Sequence, residues 1–353
     1  MSNKTLITKA KIVLLVIFLI LGLTIYRFQK PQLVQENQFV LGTFGQIHLY
    51  TKSPKSGNKA INQAYQRIRE IENSMSIIIS DSDIYQLNEN AGIKPIKVTQ
   101  DTLNVIHKGL EYYELTKGAF NIGLGKISKL WGVNIETDNK IPPAIPKEEE
   151  ILDAKKHIDL YQLEINNNEL FIKDPKMSID LGGIAKGYAV DEAVRTLEDL
   201  GIKSGFVNLG GDIFVLGSKP DGTAWQMGIQ SPELGSSNVI VKIQLRNSSI
   251  VTSGDYQRYI EKDNKRYHHI IDPSTGYPAE NELTSVTIIS DTTIKGDSYS
   301  TAAFVMGLEK GLDFIENLEN TEGIFLTKDK RIYASSGIRD EIELMDKEYK
   351  LFK

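Results

Sequence analysis

Residues 177–217 constrain the fold most. Met177-Ser178-Ile179-Asp180-Leu181 reads as a short strand, and Gly182-Gly183 breaks it. Apolar residues then recur at helical spacing from Ile184 to Leu200, through Tyr188, Val190, Ala193, Val194 and Leu197. Gly201 stands where a helix C-terminal glycine belongs. Phe206 to Leu209 reads as a buried strand closed by Gly210-Gly211. A strand, a Gly-Gly break and a helix suit an anion, because backbone N–H groups at a helix start are unpaired and carry partial positive charge. Glycine lets a phosphate come close to that backbone. A plain strand-to-helix turn meets the same description. The unit has neither the six-residue dinucleotide glycine pattern nor the Lys-Ser/Thr ending of a P-loop.

Around this unit the chain mixes strands and helices without strict alternation, which predicts an α+β fold with mixed and antiparallel sheets and packed helices. Residues 31–37 read as a linker and 38–51 as a hairpin. Helices are expected over 60–75 and 101–115, the second capped by Asp101 or Thr102. Ser80-Asp81-Ser82 reads as a turn or cap, 117–121 as a loop leading to Trp131, and 134–150 as an exposed Pro-rich, charged insertion. Short strands are expected within 157–173, turning at Asn166-Asn167-Asn168, and at 225–229, 239–245, 249–252, 257–261, 268–271, 285–290, 323–326 and 332–334. A helix is expected to start at Asp297 and run to Gly307.

The first thirty residues differ from the rest. Lys4, Lys9 and Lys11 precede the apolar run Ile12 to Tyr26, with Arg27 after it. This is a basic then apolar leader without a convincing cleavage site, so an uncleaved membrane anchor over 1–30 is expected, its flanking cations reaching the interface. The chain contains no cysteine, which excludes disulfides, thiolate metal sites and a lipid-modified cysteine. A net charge of −5 argues against nucleic acid as a partner. It also means that any anion site must rely on local donors or a metal.

Four groups could carry chemistry. Asp297 and Thr301 are four apart and share one helical face, offering two hard oxygen ligands suited to Mg²⁺; an acidic residue favoured by a helix start beside an incidental threonine would look the same. His269 could accept a proton near neutrality, or only orient its loop, while Asp272 shapes the Pro273-Ser274-Thr275-Gly276 turn. Lys186, one turn into the central helix, could face a phosphate or solvent, and Asp180 could accept from a ribose or adenine group.

The order of short words along the chain resembles the ApbE family, the FAD:protein FMN transferases. The words are Leu41-Gly42-Thr43, Met75-Ser76 with Asp81-Ser82 and Leu87-Asn88, Gly118-Ala119-Phe120, Asp180 to Asp191, and Asn208 to Asp212. Thr252 to Tyr256, His269 to Gly276, and Asp297 to Thr301 follow. The resemblance implies an ApbE-like (T-fold-like) flavin transferase domain over 38–353. It implies metal ligands at Asp297, Thr301 and the Gly183 backbone oxygen. FAD would be lined by Leu41, Ala119, Phe120, Asn121 and Ile271, with Asp180 and Lys186 beside it, and His269 and Asp297 would serve catalysis. The implied reaction is Mg²⁺-dependent transfer of FMN from FAD to a threonine of an acceptor flavoprotein, releasing AMP. FAD pyrophosphatase activity and FAD binding without turnover are the alternatives. An acceptor at the bacterial surface and a body on the outer side of the cytoplasmic membrane would follow, the anchor replacing the lipid of many relatives. Three positions depart from the family pattern. Asn121 and Gly123 replace an aspartate and a threonine, and Ile78 stands where an aromatic is common, so it cannot stack on a ring.

Overall fold

The computed structural model describes residues 11, 12, 14, 16, 17, 30–132, 145–233, 238–263 and 265–352. Most of the expected anchor and residues 134–144 of the expected insertion lie outside these. Among the described residues no helix is long and apolar enough to cross a membrane.

A nine-stranded sheet is the backbone of the fold. It opens with the hairpin Gln32–Val40 and Thr43–Thr51, passes through Ser204–Leu209, Asp212–Gly217, Ser248–Gly254, Leu283–Ser290 and Thr321–Thr327, and ends with Arg331–Ala334 and Lys350–Phe352. Every pairing in it is antiparallel except the last, which is parallel. Helices Pro54–Met75, Ala185–Asp199 and Thr293–Met306 pack in succession on one face. The small sheet of Trp225–Gln230, Val239–Leu245 and Glu343–Leu344 lies against an apolar layer on the other. Strand Leu283–Ser290 is buried along its whole length, as a strand covered on both faces must be. Its apolar residues part by parity: Val286 and Ile288 join the helical core, Ile289 the layer behind.

The helices follow from the spacing of their apolar residues. Pro54–Met75 starts on a Ser53 cap with proline in its first turn and buries Ala60, Ile61, Ala64, Tyr65, Ile68 and Ile71. The Gln100–Leu115 helix is capped by Thr99, whose side chain accepts from the Thr102 amide, and not by Asp101 or Thr102. Ser82 acts as a cap, one of the two readings of Ser80-Asp81-Ser82, and the helix it starts is the short Asp83–Glu89.

Three expectations give way. Residues 31–37 are not a linker, because from Gln32 onward they pair in register with Thr43–Thr51. Met177 to Leu181 is not a ladder strand, having a single bridge from Ser178 to Leu124. Its polar groups go elsewhere: the Asn88 amide donates to the Ile179 carbonyl at 2.9 Å and accepts from the Ile179 N–H at 2.7 Å. The helix expected from Asp297 begins at Thr293, so Asp297 lies a full turn inside it. Asp297 is correspondingly buried, with 4% of its surface exposed.

Candidate active site

The central helix begins at Ala185 without a side-chain cap of its own. The caps come from a neighbour. Asp297, on the Thr293–Met306 helix, accepts the Gly187 N–H at 3.0 Å, one of the unpaired amides of the first turn. In return Asp191, on the central helix, accepts the N–H groups of Thr293 at 2.7 Å and Ile294 at 3.0 Å. Each helix thus supplies the carboxylate that the other's N-terminus needs. Gly187 permits the approach, since a Cβ there would lie 2.5 Å from the Thr293 carbonyl oxygen. Burial pushes Asp191 up to about 6.

Asp297 also faces a second carboxylate. Lys186 Nζ donates to Asp212 Oδ2 at 2.7 Å and lies 3.7 Å from Asp297 Oδ1. Burial alone would favour a neutral Lys186, but the charges of Asp212 and Asp297 outweigh it and hold the ammonium above its ordinary value. Burial first, and then the charge of Asp212, push Asp297 up to about 7. Two carboxylates sharing one ammonium leave surplus negative charge in a buried place. Thr301 Oγ1 is on the same face of the helix as Asp297, and a Cβ built on Gly183 would come within 3.8 Å of it. Ser298 Oγ donates to the Gly183 carbonyl at 3.4 Å.

These groups open onto a cavity of about 830 Å³. Its wall includes every residue to which the family resemblance gave a metal, flavin or catalytic role: Leu41, Ala119, Phe120, Asn121, Asp180, Gly183, Lys186, His269, Ile271, Asp297 and Thr301. Leu41 and Gly42 form the two-residue hairpin turn, both at positive φ, 50° and 65°. A leucine seldom adopts that conformation. Glu72 holds it by accepting the Leu41 N–H at 2.9 Å. Asn121 is spent locally: its Oδ1 accepts from the Gly123 N–H at 2.7 Å and its Nδ2 donates to the Ile158 carbonyl at 3.1 Å. Asp180 turns the chain by accepting from the Gly182 N–H at 2.8 Å.

His269 lies just past the end of strand Lys265–His268. Its Nδ1 is 3.3 Å from the Arg258 carbonyl, which only accepts, so the proton sits on Nδ1 and Nε2 keeps its lone pair. Burial and then the Arg258 charge drive the imidazole from 6.5 down to about 3, not the neutrality that the sequence suggested. The ring is therefore neutral at ordinary pH. Asp272 shapes its turn as expected, accepting from the Ser274 N–H at 2.8 Å and, through its carbonyl, from the Gly276 N–H at 2.8 Å.

A model of the ApbE family matches residues 41–325. The chain belongs to the ApbE family. It is 31% identical to a FAD:protein FMN transferase of Treponema pallidum over 89% of its own length and 90% of the relative's. A FAD:protein FMN transferase of Klebsiella pneumoniae is 31% identical over 82% of this chain and 89% of that one. The ApbE protein of Thermotoga maritima superposes with a TM-score of 0.81 at 31% identity, covering 88% of this chain and 99% of that structure. The flavin transferase ApbE of Vibrio cholerae gives 0.78 at 28% identity, with the same coverage. The curated relatives are thus transferases, and the α+β architecture of the ApbE structures is that of this chain. The ApbE resemblance found the cavity's floor but not its charge balance. Asp212, Arg258 and Glu72 were missed as site residues. Asp212 was in plain sight, closing the Asn208-Leu209-Gly210-Gly211-Asp212 word after the central helix. Arg258 and Glu72 carry no local signal.

Proposed function

We propose that this chain transfers the FMN half of FAD to a threonine hydroxyl of an acceptor protein, forming a phosphoester and releasing AMP. The observation that carries the reading is the joining, in one cavity, of the central helix start, the Asp212–Lys186–Asp297 cluster and His269, in a chain whose relatives are named FAD:protein FMN transferases. The donor set fits Mg²⁺. Asp297, Thr301 and the Gly183 carbonyl are hard oxygen donors, and a carboxylate raised by burial and then by the Asp212 charge is one that a divalent cation would hold ionised. When bound there, Mg²⁺ would polarise the phosphoryl oxygens and neutralise charge on the departing AMP. Lys186, 2.7 Å from Asp212 and 3.7 Å from Asp297, bridges the two carboxylates and holds them in place. His269 offers Nε2 to the threonine proton as the hydroxyl oxygen attacks the FMN-side phosphorus and the bond from that phosphorus to the bridging oxygen breaks. The nucleophile belongs to the acceptor, so the chain needs none of its own.

A second reading rests on two residues. Ile78 is 68% exposed at the cavity edge and offers no ring, and Asn121 is bonded to its own loop. A flavin held more loosely there would admit water in place of threonine. Incubating the chain with FAD, Mg²⁺ and a threonine-bearing acceptor domain separates the two. Transfer gives an acceptor heavier by one FMN, one AMP per adduct, and no adduct when the threonine is changed to alanine. Free FMN with AMP and an unmodified acceptor would mean hydrolysis, and retained FAD without AMP would mean storage. As part of the same proposal, residues 1–30 anchor the body at the outer face of the cytoplasmic membrane, where surface electron-transfer flavoproteins would be the acceptors. Release of the intact chain by alkaline carbonate would overturn the anchor.

A further inference from the structure

We infer that Arg258 grips the diphosphate of the dinucleotide. This rests on the transfer reading above and names a residue that the reading does not use. The cavity wall carries two cations, Lys186 and Arg258. Lys186 is committed to Asp212 and Asp297. Arg258 is not. Among the described residues no carboxylate lies within 4.0 Å of its guanidinium, and its one side-chain hydrogen bond is a long one, Nη2 to the Gly42 carbonyl at 3.4 Å. A guanidinium has five N–H donors in a planar fork suited to two phosphate oxygens at once, so most of that capacity faces the cavity unused.

The bland alternative is a surface arginine in water. Two observations weigh against it. The residue is fixed from behind: its carbonyl accepts from the His269 N–H at 3.1 Å as well as facing the His269 ring. It also shares the cavity wall with Gly182, Gly183, Ala185 and Lys186, which places it beside the central helix start. Another cavity shows what committed cations look like. There Lys265 meets Glu280 at 3.0 Å, Arg266 lies 3.7 Å from Asp255 and over the Tyr259 ring, and Lys328 donates to the Asn281 carbonyl. Arg258 is the cation left over for an anionic ligand, in a chain whose net charge of −5 would otherwise repel one.

The test compares full-length wild type with Arg258→Gln and Arg258→Lys, in EDTA so that no metal contributes. Dissociation constants for FAD and for riboflavin, which lacks phosphate, are read from flavin fluorescence. Arg258→Gln should weaken FAD by roughly tenfold or more, the scale of a lost charge-assisted pair. Riboflavin should shift less than about twofold, and Arg258→Lys should fall between, keeping the charge but not the fork. Both variants should melt within about 2 °C of wild type, since the side chain is exposed. Unchanged FAD binding in Arg258→Gln, or equal weakening of FAD and riboflavin, overturns the inference. Wild type that neither binds FAD nor forms AMP with Mg²⁺ and acceptor overturns the transfer reading instead.

Discussion

The two faces of the central sheet are built on different terms. Behind it, Val215, Ile240, Val241, Ile243, Ile250, Ile289 and Ile324 make a layer of aliphatic contacts. On the helical face the same strands bury polar groups: Ser249 meets Ser290 at 2.8 Å and Ser253 meets Ser300 at 2.8 Å, beside Asp191 and Asp297. One strand serves both, since Ile250 faces back while Ser249 and Ser253 face the helices. Aliphatic packing holds the sheet together without specifying chemistry. Buried polar groups cost stability unless each finds a partner, so they appear where position matters more than cohesion. Activity and stability should therefore separate by face.

The largest effect tests the polar side. Asp297→Asn keeps an acceptor for the Gly187 amide but removes charge from the cation site, so transfer should fall on the order of a thousandfold while the melting curve barely moves. Wild-type turnover at limiting Mg²⁺ would detach Asp297 from the chemistry. Asp297→Ala, which also strips the amide of its partner, should in addition destabilise the fold.

On the apolar side Ile243, 1% exposed, should do the reverse. Ile243→Ala should cost roughly 2–5 kcal/mol in denaturant unfolding and leave FAD affinity unchanged. A matching loss of affinity would show that the faces are coupled.

His268 gives the polar side a pH signature. It is buried, its Nε2 lies 2.9 Å from the Ala279 carbonyl, and burial lowers it from 6.5 to about 4. A histidine depressed in the folded state favours folding above its unfolded value of 6.5, and that contribution is lost as pH falls through 4. Stability should decline between those values by about 3 kcal/mol from this residue. A His268→Gln variant as steep as wild type in that window would remove the attribution.

The smallest effect concerns His269. His269→Asn should slow transfer roughly a hundredfold without changing FAD affinity. Because the imidazole is neutral down to about 3, the wild-type rate should show no acidic limb from it between pH 5 and 8. A limb near 6.5 that vanishes in the variant would mean that the loaded site is wetter than the free one.

The sequence was most informative where neighbours in the chain are neighbours in space. The Gly182-Gly183 break and the helix after it were legible from residues 177–200, because glycines and a 3.6-residue period are local signals. Met177 to Leu181 looked like a strand because it is extended and apolar, yet the Asn88 side chain, 91 residues away, takes the place of a ladder. Residues 31–37 looked like a linker because their polar residues hide an edge pairing that only the partner strand reveals. Asp297 was legible as a ligand candidate from its spacing to Thr301. Its burial was not, because the amide it caps is 110 residues distant. Arg258 had no signal at all: a lone arginine acquires meaning only when its missing carboxylate is seen.

The exchange of carboxylates between the two helices has a consequence for transplanting this site. Asp297 gives one oxygen to a neighbour's amide and turns the other toward Lys186, and Asp191 spends both of its own on the helix that carries Asp297. Neither segment is a portable cassette. A graft that carried Asp297 and Thr301 alone into a new scaffold would arrive with frayed N–H groups at Thr293 and Ile294 and a carboxylate free to swing. The smallest unit that could be moved intact is the helix pair with Gly187 at its crossing.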